Sequence, residues 1–267
     1  MPPNTAKELQ TVKLTGQNKI AVIVGGTSGI GAAVARLLAK LGCRRVVISG
    51  RSEARAERVL KLLKDLAPED SEIEVVFVKS DVLESKGMRA AAEGIREAVG
   101  DAGIDYLVMT QNGPPTGLIE ETADGCERGF AIQAVSRFAL AYLLTTGGAL
   151  APNAIVMSVC NQGQDLPDLS VDDLSLKQRL GKMSRTGFFM AQSKRDSVVL
   201  DSITEEFDYN AFPGFLKYIF LLAMKLIGIL AAPDAEKKLG TGRYFDYKLN
   251  PKKIGSWASE KKNREEL

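Results

Sequence analysis

The 267-residue chain contains no histidine. That absence excludes Ser-His-Asp and Cys-His nucleophilic catalysis, which need an imidazole base, and removes the usual nitrogen ligand of a zinc site. No metal site is expected. The three cysteines, Cys43, Cys126 and Cys160, are odd in number and lack CxxC spacing, so free thiols in a reducing compartment are expected in place of a disulfide framework. Neither sign of charge dominates: 35 basic and 33 acidic residues are mixed along the chain, for a net formal charge of +2. The electrostatic footprint of a nucleic-acid binder is therefore missing. The opening stretch, MPPNTAKELQTVKLTGQNK, has no secretory pattern of basic start, apolar core and small-residue cleavage site, and a cytoplasmic protein is expected. There is no internal repeat.

What the chain does have is 45% apolar and 25% charged residues, the composition of one α/β domain with a substantial core, expected over residues 1–267. Apolar runs rich in β-branched residues recur at Ile20 to Val24, Arg45 to Ser49, Glu74 to Val78 and Tyr106 to Met109, with a fifth at Ala154 to Val159. Amphipathic stretches of helical period lie between or after them, at Gly31 to Leu41, Glu53 to Leu66, about Cys126 to Thr145 and about Phe188 to Glu206. This rhythm predicts a parallel sheet of at least five strands with helices on both faces. Residues 165–181 are polar and acidic and read as a surface excursion. A charged, solvated tail is expected at about 255–267.

Directly after the first apolar run stands Gly25-Gly26-Thr27-Ser28-Gly29-Ile30-Gly31, leading into the first helix. Glycines here permit a tight turn, let backbone N–H groups approach a pyrophosphate and let the helix pack closely on the strand, while the helix N-terminus favours negative charge. Gly25, Thr27, Ser28, Gly29, Ile30 and Gly31 are thus candidate dinucleotide-binding residues. At the end of the second run, Arg51 stands where an NAD site usually has an acid for the ribose hydroxyls. An arginine can pair with a 2′-phosphate, so Arg51 with Ser52 points to NADP (NADPH) over NAD.

The spacing of the glycine turn resembles the TGxxxGxG motif of the short-chain dehydrogenase/reductase family, with Val24 in the threonine position. The resemblance extends over roughly residues 18–214, and the ending GTGRYFDYKLNP is similar to that of fungal members. It implies a Rossmann-type doubly wound parallel sheet. Asp81-Val82 resembles the family's adenine-contacting pair, and Pro213-Gly214 resembles the turn that follows the sixth strand near the nicotinamide. The family's Asn, Ser, Tyr and Lys active site is matched at Lys194 alone. Gln133 stands for the asparagine, Cys160 for the serine with Ser158 two residues before it, and Met190 for the tyrosine, four residues before Lys194. In the family that spacing puts tyrosine and lysine on one helical face, where the ammonium lowers the phenol pKa and the lysine holds the ribose. Bringing a phenol from about 10 to near 7 takes roughly 4 kcal/mol. Met190 has no proton to give. The YxxxK spacing from Tyr244 to Lys248 falls in an expected strand or loop, where it defines no common face.

The apolar segment 215–231 is expected to be a helix lining the substrate cleft or a subunit contact, with a membrane-interface helix a less favoured alternative. Two functions are compatible with these residues. One is an NADP(H)-dependent oxidoreductase acting on a small carbonyl or alcohol with an atypical active site. The other keeps the fold without redox activity, as a cofactor-binding sensor, a partner protein or a non-redox catalyst with a cleft lined by Phe188, Phe189 and Met190. The family resemblance implies a homodimer or homotetramer through the helices at about 126–145 and 188–206.

Overall fold

The computed structural model describes residues 18–68, 72–113, 116–159 and 166–206, together with the strand backbones at 217–220, 243–245 and 251–252. The first four apolar runs form β1 (Ile20–Val24), β2 (Arg45–Gly50), β3 (Glu74–Lys79) and β4 (Ile104–Met109). All five side chains of β1 are buried, as a strand between two helical layers requires. β5 (Leu150–Ser158), β6 (Lys217–Phe220), β7 (Arg243–Phe245) and β8 (Pro251–Lys252) complete one sheet of order β3-β2-β1-β4-β5-β6-β7-β8. Pairing is parallel from β3 through β7 and antiparallel between β7 and β8. Val22 sits opposite Val47 on one side and Leu107 on the other.

Alternation along the strands divides the core in two. Ala21, Ile23, Ile48 and Val108 pack under α1 (Gly29–Lys40) and α2 (Glu53–Leu66), which contribute Val34, Leu38, Ala56 and Leu63. Val22, Val47, Leu107 and Val156 pack under α3 (Ser85–Val99) and, through Leu140 and Leu144, under a long helical rod. That rod consists of α4 (Arg128–Phe130), a π segment (Ala131–Val135) and α5 (Ser136–Thr146). Each fully buried aliphatic side chain contributes about 1.5–3 kcal/mol. A third cluster joins α6 (Arg185–Glu206) to Phe130 and to the segment before it.

Three expectations need correcting. Residues 166–181 are not a plain surface excursion, because Leu166, Leu169 and Leu176 are buried against Phe188, Val198 and Val199. Their irregular spacing hid the anchors between exposed charges. The helix expected over 215–231 is a strand at Lys217–Phe220, where Val156 pairs with Tyr218; a short apolar run cannot separate buried strand from buried helix by pattern alone. β6 therefore follows Pro213-Gly214 in the chain and does not precede it. Residues 221–231 and 255–267 lie outside the described residues. The fifth strand also starts earlier than its apolar run, at Leu150, with a register shift between Ile104 and Tyr106 where Pro152 and Asn153 are exposed. Proline is tolerated at such an irregularity. Among the described residues, no helix is long and apolar enough to cross a membrane.

Candidate functional site

β1 lies between β2 and β4, so the strand order reverses there and the carboxyl ends of the strands open onto a crevice. A cleft of ≈ 590 Å³ occupies it, within the usual range for small-molecule sites. Its wall brings together ten residues singled out from the sequence: Gly25, Thr27, Ser28, Gly29, Ile30 and Gly31 from the turn, Arg51 and Ser52 after β2, and Asp81 and Val82 after β3. Arg55, Ser80, Thr110, Gln111, Asn112 and Ile132 complete the side-chain lining apart from Val24.

The turn is held by backbone bonds from Gly25 N and Gly26 N to Ser49 O, at 2.9 and 3.1 Å. A Cβ on Gly31 would lie 2.4 Å from Gly25 O and 2.5 Å from Thr110 Oγ1, so only glycine lets α1 approach so closely. Gly29 differs: its φ is +52°, and a Cβ there would meet nothing within 4 Å. Its open side is where backbone can meet a ligand. Ser28 is the N-cap of α1, yet its side chain makes no capping bond, which leaves it from answering the amides of the first turn that an anion could take. The hydroxyl missing at Val24 has a counterpart across the sheet, where Thr110 Oγ1 donates to Val24 O at 2.9 Å. Sequence reasoning missed it because Thr110 is 86 residues away.

Arg51 is exposed on the cleft rim, and its guanidinium makes no hydrogen bond or ion pair among the described residues. Arg55, one turn into α2, shares the rim and was also missed. Ser52 caps α2 by accepting from Arg55 N at 3.4 Å. Asp81 Oδ1 accepts from Leu83 N at 3.2 Å, while Val82 is buried beside it. α3 presses on this loop through Gly87, where a Cβ would come 1.9 Å from Asp81 O.

The catalytic candidates are placed elsewhere. None of Gln133, Ser158, Met190 and Lys194 lines the cleft. Gln133, in the π segment, donates from Nε2 to Gly113 O at 3.1 Å. Ser158 is fully buried at the end of β5. On α6, Met190 is exposed, and Lys194 is half-buried with no hydrogen bond or ion pair to its ammonium among the described residues. Phe188 does not line a cleft as expected; it is 2% exposed in the third core cluster, whereas Phe189 reaches solvent. Tyr244 lies in β7. Cys160, Pro213 and Gly214 are outside the described residues.

Sequence reasoning also missed a buried polar network behind the cleft. Glu127, the N-cap of α4, accepts from Gly129 N and Phe130 N at 3.0 Å each. The same carboxylate accepts from Gln192 Nε2 at 3.3 Å and Arg195 Nη2 at 2.7 Å. Arg195 also donates to Asp196 and to Leu174 O, and its guanidinium lies 4.9 Å from the centroid of the Phe130 ring. Burial raises the pKa of Asp196 to about 6 against the opposing pull of Arg195. Burial likewise pushes the Cys126 thiol up. Only the i, i+3 spacing of Gln192 and Arg195 hinted at a shared buried face. No cluster of metal-ligating residues occurs among the described residues.

A glycine turn on a strand-to-helix junction, an open crevice at the strand-order reversal and helices on both faces define the class of doubly wound α/β proteins. Comparison with known proteins is more specific. Residues 19–145 match the family model described as short chain dehydrogenase. Oxidoreductase calI of Penicillium decumbens is 35% identical over 127 residues, 48% of this chain and 35% of that protein. Oxidoreductase AN1596 of Emericella nidulans is 29% identical over 191 residues, 71% of this chain and 53% of that protein. The chain thus spans between a third and about half of the length of these relatives. Among solved structures, RhlG of Pseudomonas aeruginosa, in an NADP active-site complex, superposes with a TM-score of 0.54 at 17% identity, covering 84% of this chain and 79% of that one. Over residues 19–145 the chain is thus similar to the short-chain dehydrogenase/reductase family.

Proposed function

We propose that the chain is an NADP(H)-dependent oxidoreductase acting on a small carbonyl or alcohol. The observation that carries this reading is the convergence of ten sequence-selected residues on one cleft, with Arg51 unpaired among the described residues at its rim. The residues fit the cofactor: the open side of Gly29 and the uncapped start of α1 suit a pyrophosphate, and Arg51 with Arg55 suits a 2′-phosphate. When bound, the nicotinamide supplies the hydride, and the protein supplies orientation and charge. Lys194 would hold a ribose hydroxyl of the bound cofactor and polarise a neighbouring water. Because Met190 cannot donate, the proton comes from that water or from the Cys160 thiol, whose ordinary pKa of about 8.5 allows donation near neutrality.

The test is a panel of aldehydes and ketones incubated with protein and NADPH, followed by the loss of reduced-nicotinamide absorbance. Oxidation that depends on one carbonyl, and falls about 100-fold or more in Lys194→Ala, supports the reading. A substrate converted with the cofactor's redox state constant would instead identify the non-redox alternative, which the exposed Met190 favours. A Cys160→Ala variant that keeps full turnover would assign the proton to water. A homodimer or homotetramer through α5 and α6 is part of the proposal.

A further inference from the structure

We propose that Glu127 is a positioning residue that, through Gln192 and Arg195, sets Lys194 against the Ile132 wall of the cleft; the assignment rests on the cofactor reading above. The carboxylate of Glu127 is 3% exposed and its partner Arg195 is 0% exposed. Four donors meet its two oxygens: Gly129 N and Gln192 Nε2 on Oε1, Phe130 N and Arg195 Nη2 on Oε2. Two of these donors belong to the start of the helical rod, and two belong to α6. One group therefore ties both elements together.

What each element carries gives the tie its consequence. The rod begins at Glu127, and within its next turns come Ile132, which lines the cleft, and Gln133, which holds Gly113 O. On α6, Gln192 and Arg195 are three apart and so share a face, and Lys194 is the residue immediately before Arg195. Gln192 extends the tie by donating to Leu118 O at 2.9 Å and accepting from Gly117 N at 3.3 Å. A shift of α6 along the rod would move Lys194 relative to Ile132 and break these bonds together. Apolar packing of Val198 and Val199 on Phe130 resists separation but is non-directional, so it does not fix that register. Well-packed apolar residues would stabilise such a contact as well as a buried ion pair does. A forked, fully buried set of charge-assisted bonds adds direction. Asp196 Oδ1 also meets Arg195 Nη2, at 2.5 Å, and completes the charge facing the guanidinium from its own helix.

The experiment is NADPH titration of the wild-type chain, Glu127→Gln, Lys194→Met and the double variant, with thermal unfolding recorded for each. Glu127→Gln keeps the shape and removes the charge. Positioning predicts that it weakens NADPH binding about tenfold when Lys194 is present and less than about twofold in the Lys194→Met background, the non-additivity expected of coupled sites. In an Arg51→Ala background the loss should stay about tenfold, because that arginine lies outside the tie. Equal losses with and without Lys194 would overturn the assignment while leaving the cofactor reading standing. A folded wild-type chain that binds no NADPH would overturn both. If Glu127→Gln does not fold, Gln192→Met provides the same comparison with the weaker half of the tie removed.

Discussion

Gly31 and Gly29 occupy the same turn for opposite reasons, one lacking space for a side chain and the other having space but a left-handed backbone. Gly31→Ala should destabilise the fold by about 1–3 kcal/mol through overpacking and abolish NADPH binding. Gly29→Ala should cost about 1 kcal/mol and fold normally; thermal unfolding of the two variants tests the contrast. Asp196 makes a pH prediction. Burial raises its folded pKa to about 6, above the ordinary aspartate value of 3.8, so the folded state holds its proton more readily. Its contribution to stability is then fully present below about pH 3.8, lost as pH rises towards 6, and flat beyond. The wild type minus Asp196→Asn difference in unfolding temperature should fall across that window; a difference that rises would contradict the assignment. The glycines were legible in the sequence because their neighbours along the chain define the turn. Thr110 and Glu127 were not, because their partners Val24 and Arg195 are 86 and 68 residues away.

The strands β1, β2 and β4 were legible as elements because burial on both faces leaves continuous apolar runs, and β3, only partly buried, because Val75, Val76, Phe77 and Val78 form a run of strand-favouring residues. α3 was passed over: its buried face is Met88, Ala91, Ala92, Ile95 and Val99, and alanines give a weak apolar signal. The anchored segment before α6 was misread for the related reason that three leucines among charges have no period. Leu176 is its main fastening, 1% exposed although its φ is +58°, a region costly for a side chain with Cβ. Asp173 braces it by accepting from Lys177 N at 2.7 Å and Gln178 N at 3.1 Å. Leu176→Ala should cost about 2–5 kcal/mol. Limited proteolysis should then cut first within 166–183. Cleavage spread evenly over the chain would mean that the segment is not a separately released unit.

At the scale of the whole molecule, strand order places the ends of β1, β2, β3 and β4 around one crevice, and its wall is lined by the ends of β1 and β2 and by residues directly after each of the four strands. That assembly was foreseeable, since parallel strands joined by helices put their carboxyl ends on one side. The catalytic end was less so. Of its four family positions, Gln133 lies in the rod, Met190 and Lys194 lie on α6 and Cys160 is outside the described residues; three of the four carry a different residue, leaving the sequence pattern to fix Lys194 alone. Cofactor binding can therefore be tested apart from catalysis. The most direct measurement is calorimetric titration of the wild-type chain and Arg51→Ala with NADPH and with NADH. NADPH should bind the wild type more tightly than NADH, with the preference falling about tenfold or more in Arg51→Ala. Equal affinities for the two cofactors, or no binding of either, would contradict an NADP site built around Arg51.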